Sequence, residues 1–273
     1  MDLGIAGKVV FFTGGSKGMG RVAATMLAEE GCKVAVVARG KDAVAAAAER
    51  VTRELGPPSI AVGQSLYNRP GNFADVSDPE TYVESFRAYT MSTVYLLKAV
   101  LAAMKHAGWG RFVHIGSASA KEPEGLIRHV VANGTRSSTA GLLKRVADEY
   151  AQYGITVNTV APGWIETANA IGYLNRQLGM ASAEDRRRWI KEHVRVPAAR
   201  LGRPGEIASL IVYLCPELAG YVNGEWIQVD GARHRSVFWR LGAPRLRSPL
   251  PERKRGGSSR VTCPALARAL ATE

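Results

Sequence analysis

Short, continuous apolar runs alternate along this chain with longer stretches whose apolar residues recur at helical spacing. Lys8-Val-Val-Phe-Phe-Thr13 is the first run, and a glycine-rich turn, Gly14 to Gly20, follows it at once. Val22 to Glu30 then reads as a helix closed by Gly31, and Lys33 to Ala38 as a second run rich in β-branched residues. The pattern continues with a helix at Asp42 to Leu55, stopped by Gly56-Pro-Pro58, and a strand at Ser59 to Val62. It predicts helical material over Pro79 to Ala107, a strand at Arg111 to Ile115, a helix at Ala132 to Tyr153 capped by Gly154, and a strand at Thr156 to Val160. Helices at Ser182 to Val194 and Glu206 to Leu214 and a last strand at Glu225 to Val229 complete it. Runs that are apolar throughout, rather than alternating, mark strands buried on both faces, as in parallel sheets. Strand-helix alternation on this scale predicts an α/β fold: a doubly wound parallel sheet in three layers.

Composition narrows this little, but charge divides the chain. At 273 residues, 46% hydrophobic and 22% charged, it is neither a disordered chain, a collagen nor a coiled coil. The net charge of +12 is unevenly spread: residues 233–273 carry ten Arg or Lys against Glu252 and Glu273, whereas the preceding 232 carry 26 against 22. The expectation is one domain over 1–232 and a basic, Pro-, Gly- and Ser-rich extension over 233–273 that is flexible. Phosphate attraction by such a run is generic, so nucleic acid is not an expected partner. Cys32, Cys215 and Cys263 form neither a disulfide framework nor a metal site. No basic-then-apolar leader and no apolar run of about 20 residues is present, so a cytoplasmic protein that does not span a membrane is expected.

The turn Thr13-Gly14-Gly15-Ser16-Lys17-Gly18-Met19-Gly20 joins the first strand to the first helix. Glycines there permit a tight turn and bring backbone N–H groups close to a pyrophosphate, which meets the positive end of the helix. This position makes the fold Rossmann-like and the turn a dinucleotide site. At the end of the second strand, where a carboxylate would accept bonds from an NAD ribose, stands Ala38-Arg39. Arg39 and Lys17 can pair with a 2′-phosphate, which favours NADP over NAD, although both also read as ordinary surface cations.

With these landmarks the sequence resembles the short-chain dehydrogenase/reductase family, and is similar to 3-oxoacyl-acyl-carrier-protein reductases. The resemblance covers about residues 5 to 232. It rests on Thr13 to Gly20, on Arg111-Phe-Val-His-Ile-Gly-Ser117, on Asn158-Thr-Val-Ala-Pro-Gly163 with Thr167 beyond it, and on Arg200 to Ala208 and Gly224 to Gly231. It implies that Ser117 is the family's catalytic serine, that Pro162, Gly163 and Thr167 lie against the nicotinamide, and that 164–197 forms a lid over substrate. It also implies a homo-oligomer and a small-molecule or acyl-carrier-bound carbonyl substrate.

The family's Tyr-x-x-x-Lys does not recur. Alignment on Gly141-Leu142 puts Ala132 at the tyrosine and Arg136 at the lysine, and Tyr89 at or near the helix asparagine. Arg136 can still hold a ribose, but it stays protonated and relays protons poorly. His129, with a reference pKa near 6.5, and the Tyr89 phenol are the replacement candidates for the proton donor, with Ser117 orienting the carbonyl. The family's edge strand and a neighbouring helix have no counterpart between Leu55 and Ser59, and Gly63-Gln-Ser-Leu66 stands where the family has Asn-Asn-Ala-Gly. Tyr173, Trp189 and Arg186-Arg-Arg188 in the lid suit an apolar substrate portion and a phosphate, or equally core packing and a solvated helix face. The reading is an NADPH-preferring oxidoreductase that reduces a ketone or 3-oxoacyl group. The alternative is a catalytically silent dinucleotide-binding sensor or partner subunit.

Overall fold

Six strands form one parallel sheet in the order β2-β1-β3-β4-β5-β6. They are β1 (Val9–Thr13), β2 (Lys33–Val37), β3 (Ile60–Gln64), β4 (Gly110–Ile115), β5 (Ile155–Pro162) and β6 (Trp226–Val229). The helices are α1 (Gly18–Glu29), α2 (Lys41–Leu55), α3 (Glu80–Phe86), α4 (Ser92–Ala107), α5 (Val130–Tyr150), α6 (Ala168–Leu178), α7 (Ala183–Trp189) and α8 (Pro204–Tyr213). This computed structural model describes residues 2–37, 41–64, 69–123, 128–180 and 182–234, all within one compact unit, Met1–Arg235. Arg39 and the basic extension from 235 onward lie outside the described residues.

The apolar runs are strands because both of their faces are covered. Val10, Phe12, Ile60, Val62, Val113, Ile115 and Val160 pack towards α1 and α8, meeting Ala23, Leu27, Ile207 and Ile211. Val9, Phe11, Ala61, Phe112 and Val157 alternate to the other face, against α2, α4 and α5 through Val44, Ala48, Leu96, Val100 and Leu143. Side-chain alternation with period two thus divides each strand between two cores. α2 covers the face beside β1, and it passes to β3 through residues 56–59. Among the described residues no strand lies beyond β2, whose Val36 is 48% exposed.

Several boundaries differ from the sequence pattern for local reasons. α1 begins at Gly18, not Val22, because the glycine turn supplies its first turn. The run from Pro79 to Ala107 contains a π-helical turn at Arg87–Met91 between α3 and α4. The lid stretch holds a helix the pattern did not predict, α6, started by Thr167 Oγ1 accepting from Ala170 N at 3.2 Å and ended by Gly179 in the left-handed region. Ser182 caps α7 rather than lying inside it. No helix among the described residues is long and apolar enough to cross a membrane.

At the opposite end of the sheet from the strand C-termini, Arg111 of β4 is 1% exposed. Its guanidinium donates to the carbonyls of Gly110, Gly154 and Pro216, pairs with Glu217 at 2.9 Å and stacks on Trp109. A charge can be buried there because its donors are met in several directions.

Candidate active site

The sheet order reverses direction between β1 and β3, and a crevice opens beyond the carboxyl ends of these strands. Its floor is the glycine turn. Gly14 has φ +79°, and a Cβ there would lie 2.9 Å from Gln64 Cβ. A Cβ on Gly20 would lie 2.3 Å from the Gly14 carbonyl oxygen, so the turn and the first helical residues close only without side chains. Lys17, at the N-cap of α1, gives no side-chain cap, and the first turn holds no acidic residue. The leading N–H groups of a 12-residue helix therefore face outward as an anion site. A methyl on Gly18 would sit 3.5 Å from Thr167 Cγ2, so Thr167 stands over the turn. Ser16 and Lys17 are exposed beside it. A turn that excludes a Cβ at Gly14 and Gly20, with open helix N–H groups beyond it, fits the pyrophosphate of a dinucleotide.

Beside the turn is a cleft of about 150 Å3, lined by Met19, Gln64, Tyr89, Ser117 and Arg136 with the Pro162-Gly163 turn. One hydrogen-bonded chain runs along its wall. Ser117 Oγ accepts from Ser119 N at 3.3 Å and lies 3.1 Å from Ser119 Oγ. Arg136 Nη1 donates to Ser119 Oγ at 2.5 Å, and Nη2 to the Tyr89 phenol oxygen at 3.2 Å. Three elements bring these groups together. The 3-10 turn Ala118–Ala120 after β4 holds Ser119 and is capped by Ser117, α5 carries Arg136, and the π-helical turn presents Tyr89. Such turns widen a helix locally and occur often at functional sites. Here Thr93 Oγ1 donates to the Tyr89 carbonyl at 2.9 Å, while Thr90 bonds Ser138 and Thr139 and fastens this segment to α5.

His129 lies apart from the residues that line this cleft. It is the N-cap of α5, its ring is 5.4 Å from that of Tyr173, and its buried Nε2 has no partner among the described residues. Burial first, and then the Arg136 charge, push its pKa down to about 4. Ala132 is 2% exposed and brings no polar group.

Several lining residues carry no role in the sequence analysis. Thr139 is one. His114 is another, fully buried at the end of β4 and held by burial at a pKa of about 4. Trp226 comes from β6 and Gln64 from β3, and Gln64 was noticed only as a departure from the family motif. Ser119, behind the lining, was missed as well; its signal is the i, i+2 spacing of two serines at a strand end, which favours a local turn.

The segment 164–196, expected as a lid, has a small core of its own, in which Leu174, Trp189, Ile190, Val194 and Val196 pack with Trp164 and Tyr173. Trp164 and Trp189 meet edge to face at 4.9 Å. Arg186 donates to Asn175 and to the Met180 carbonyl, and Arg188 lies 3.8 Å from Glu184.

A parallel sheet with a glycine cradle at its reversal point, next to a cleft of hydroxyls ordered by a cation, defines a nucleotide-dependent oxidoreductase. Comparison with known proteins narrows the class: the profile described as enoyl-(acyl carrier protein) reductase matches residues 41–234, and that described as short chain dehydrogenase matches residues 8–67. The chain belongs to the short-chain dehydrogenase/reductase family. It is 30% identical to an acetoacetyl-CoA reductase of Synechocystis, over 86% of this chain and 99% of the relative. To the 3-oxoacyl-acyl-carrier-protein reductase of Escherichia coli it is also 30% identical, over 84% and 98% respectively. Among solved structures it is similar to an L-sorbose reductase of Gluconobacter frateurii complexed with NADPH and L-sorbose. That likeness has a TM-score of 0.80 and 25% identity, covering 87% of this chain and 100% of the other.

Proposed function

We propose that this protein reduces a ketone or 3-oxoacyl group with NADPH, and that Tyr89 supplies the proton that Ala132 cannot. The observation that carries the reading is the bonded chain Ser117–Ser119–Arg136–Tyr89 along one wall of the cleft. Thr13 to Gly20 would hold the pyrophosphate, Thr167 and Pro162-Gly163 would flank the nicotinamide, and Lys17, with Arg39 two residues after β2 in the sequence, would meet the 2′-phosphate. When bound, the nucleotide supplies the hydride. Ser117 orients the carbonyl, Tyr89 gives its phenolic proton to the carbonyl oxygen, and Arg136 stabilises the phenolate that remains until solvent reprotonates it. Arg136 stays charged, so its part is electrostatic and not a proton relay. His129 is neutral at pH 7 and packs against Tyr173, which favours Tyr89 as the donor.

Printed names of the relatives support a thioester-borne 3-oxoacyl substrate, and the L-sorbose reductase supports a hydroxylated ketone. An acyl-carrier-bound substrate and a homo-oligomer are the finer parts of the reading. Exposed Tyr213, Leu218 and Tyr221, close in sequence to β6, favour the oligomer. An internal shortening between α2 and β3 is favoured by the direct passage between these elements. The Synechocystis match spans 252 positions yet uses 86% of a 273-residue chain, which also favours it.

The test is NADPH oxidation with acetoacetyl-CoA and a panel of small ketones, comparing the wild type with Tyr89→Phe. The expected loss in kcat is about 100-fold, with NADPH affinity measured by calorimetry unchanged. An unaltered kcat in Tyr89→Phe overturns the assignment of the donor. The second reading, a silent dinucleotide-binding protein, is favoured by Ala132, and NADPH binding without turnover of any carbonyl would select it.

A further inference from the structure

Resting on the reductase reading above, the geometry points to Ser119 as a positioning residue that couples the Arg136 charge to Ser117 and fixes the direction of the Ser117 hydroxyl hydrogen. The argument follows from which groups can donate. A guanidinium has only donors, so Ser119 Oγ must accept from Arg136 Nη1. Ser119 is 3% exposed, and its own hydrogen therefore needs an acceptor. Among the described residues the acceptor within reach is Ser117 Oγ, at 3.1 Å. Ser117 Oγ also accepts the Ser119 backbone N–H at 3.3 Å, which occupies both of its lone pairs. The Ser117 hydrogen is left to point away from Ser119, into the cleft its side chain lines.

The chain is therefore polarised in one direction, from Arg136 to Ser119 to Ser117 to the substrate carbonyl oxygen. Ser119 keeps its proton throughout and no bond of it forms or breaks. It holds a donor ready where negative charge develops, and the charge two bonds away strengthens that donor. The same guanidinium donates to the Tyr89 oxygen, so the phenolic hydrogen also points away from Arg136. One cation orders both hydroxyls without touching the substrate.

The first readout does not depend on turnover. In full-length protein carrying Cys263→Ser, with Cys32 and Cys215 buried, the change Ser117→Cys introduces a reporter thiol. Its alkylation rate is followed against pH with Ser119 present and with Ser119→Ala. Donation from Ser119 to the sulfur lowers the thiol pKa, so the double variant should titrate about one unit higher. Identical profiles overturn the inference. The second readout is kinetic: Ser119→Ala should lower kcat about 10-fold with NADPH affinity unchanged, and Ser119→Thr should restore it. In an Arg136→Met background Ser119→Ala should cost less than twofold, because the charge it transmits is gone. A full loss in that background also overturns the coupling. If no carbonyl is reduced by the wild type, the reductase reading fails on its own, and the thiol profiles still decide the role of Ser119.

Discussion

The glycine turn lies beside the cleft that the hydroxyl wall lines, and the two are built on different principles. At the turn the backbone makes the site. Gly14 needs a positive φ and Gly20 abuts the Gly14 carbonyl, so residue identity there follows from geometry alone. At the wall side chains make the site, and one chemical task can move between positions. On the proposed reading Ala132 stands at the place of the family's tyrosine and Tyr89 takes its task; the geometry beneath that proposal is a phenol that reaches the cleft from the π-helical turn and accepts from Arg136. A backbone site keeps its sequence signature because no substitution preserves it. A side-chain site keeps its chemistry while losing its signature.

The strongest way to break this contrast is at Gly20. Gly20→Ala puts a methyl 2.3 Å from a backbone oxygen, and no flexible side chain can yield. The expected cost is about 3 kcal/mol, read as a fall in Tm of about 6 to 12 °C together with loss of detectable NADPH binding in calorimetry. A variant that binds NADPH normally would show that the backbone of the turn is not the determinant, and the contrast would fail.

A smaller effect sharpens the other half, because environment sets what a side chain at the wall can do. Burial pushes His114 down to about 4, and burial with the Arg136 charge does the same to His129. In the unfolded chain both groups titrate near 6.5. The sign follows directly: above pH 6.5 both states are neutral and no stability is lost. Between 6.5 and 4 the unfolded chain takes up protons that the folded chain refuses, so stability falls as pH falls. For His114 the full loss by pH 4 is at most about 3 kcal/mol, and the contribution of the less buried His129 is smaller. Denaturant midpoints from pH 8 to pH 4 should show this decline, and His114→Asn should flatten it. A curve equally steep in that variant would assign the acid sensitivity elsewhere.

The difference between turn and wall also explains what could be read from the sequence. The parallel sheet was legible because Val9 to Phe12, Ile60 to Val62, and Phe112, Val113 and Ile115 are apolar on both faces, and burial on both faces favours that. The place of Ser117, two residues beyond β4, was legible from the strand that precedes it. Ser119 was not, because its role depends on Arg136, which only the packing of α5 beside the 3-10 turn brings within 2.5 Å. Trp226 reaches the cleft from β6 near the end of the domain, through pairing with β5 that no local pattern encodes. α6 was missed because Thr167 was assigned to the nucleotide, and the same residue also caps a helix. In sequence both His129 and Tyr89 are candidates, with His129 the first of the two. They separate only when one ring lines the cleft and the other stacks on Tyr173.

The smallest expected effect concerns the arginines of α7, in the segment proposed as a lid, which would there extend the side-chain site towards a phosphate-bearing substrate. Arg188 already lies near Glu184 on the exposed surface of α7, and Arg186 is engaged with Asn175 and the Met180 carbonyl. Exposed pairs of this kind contribute about 0.5 kcal/mol or less. Replacing Arg187 and Arg188 together by Ala should therefore leave Tm within about 2 °C and the KM of a small neutral ketone within twofold. The informative comparison is the KM of a CoA thioester in the same variant at low and high salt. An increase of tenfold at low salt that vanishes at high salt would make α7 an electrostatic guide for phosphate-bearing substrates. The wall would then extend across the lid, and the cleft would recognise the carrier as well as the carbonyl. The partners these arginines already have within the lid argue for the opposite result, an unchanged KM at both salt concentrations, which confines recognition to the groups around Ser117 and Tyr89.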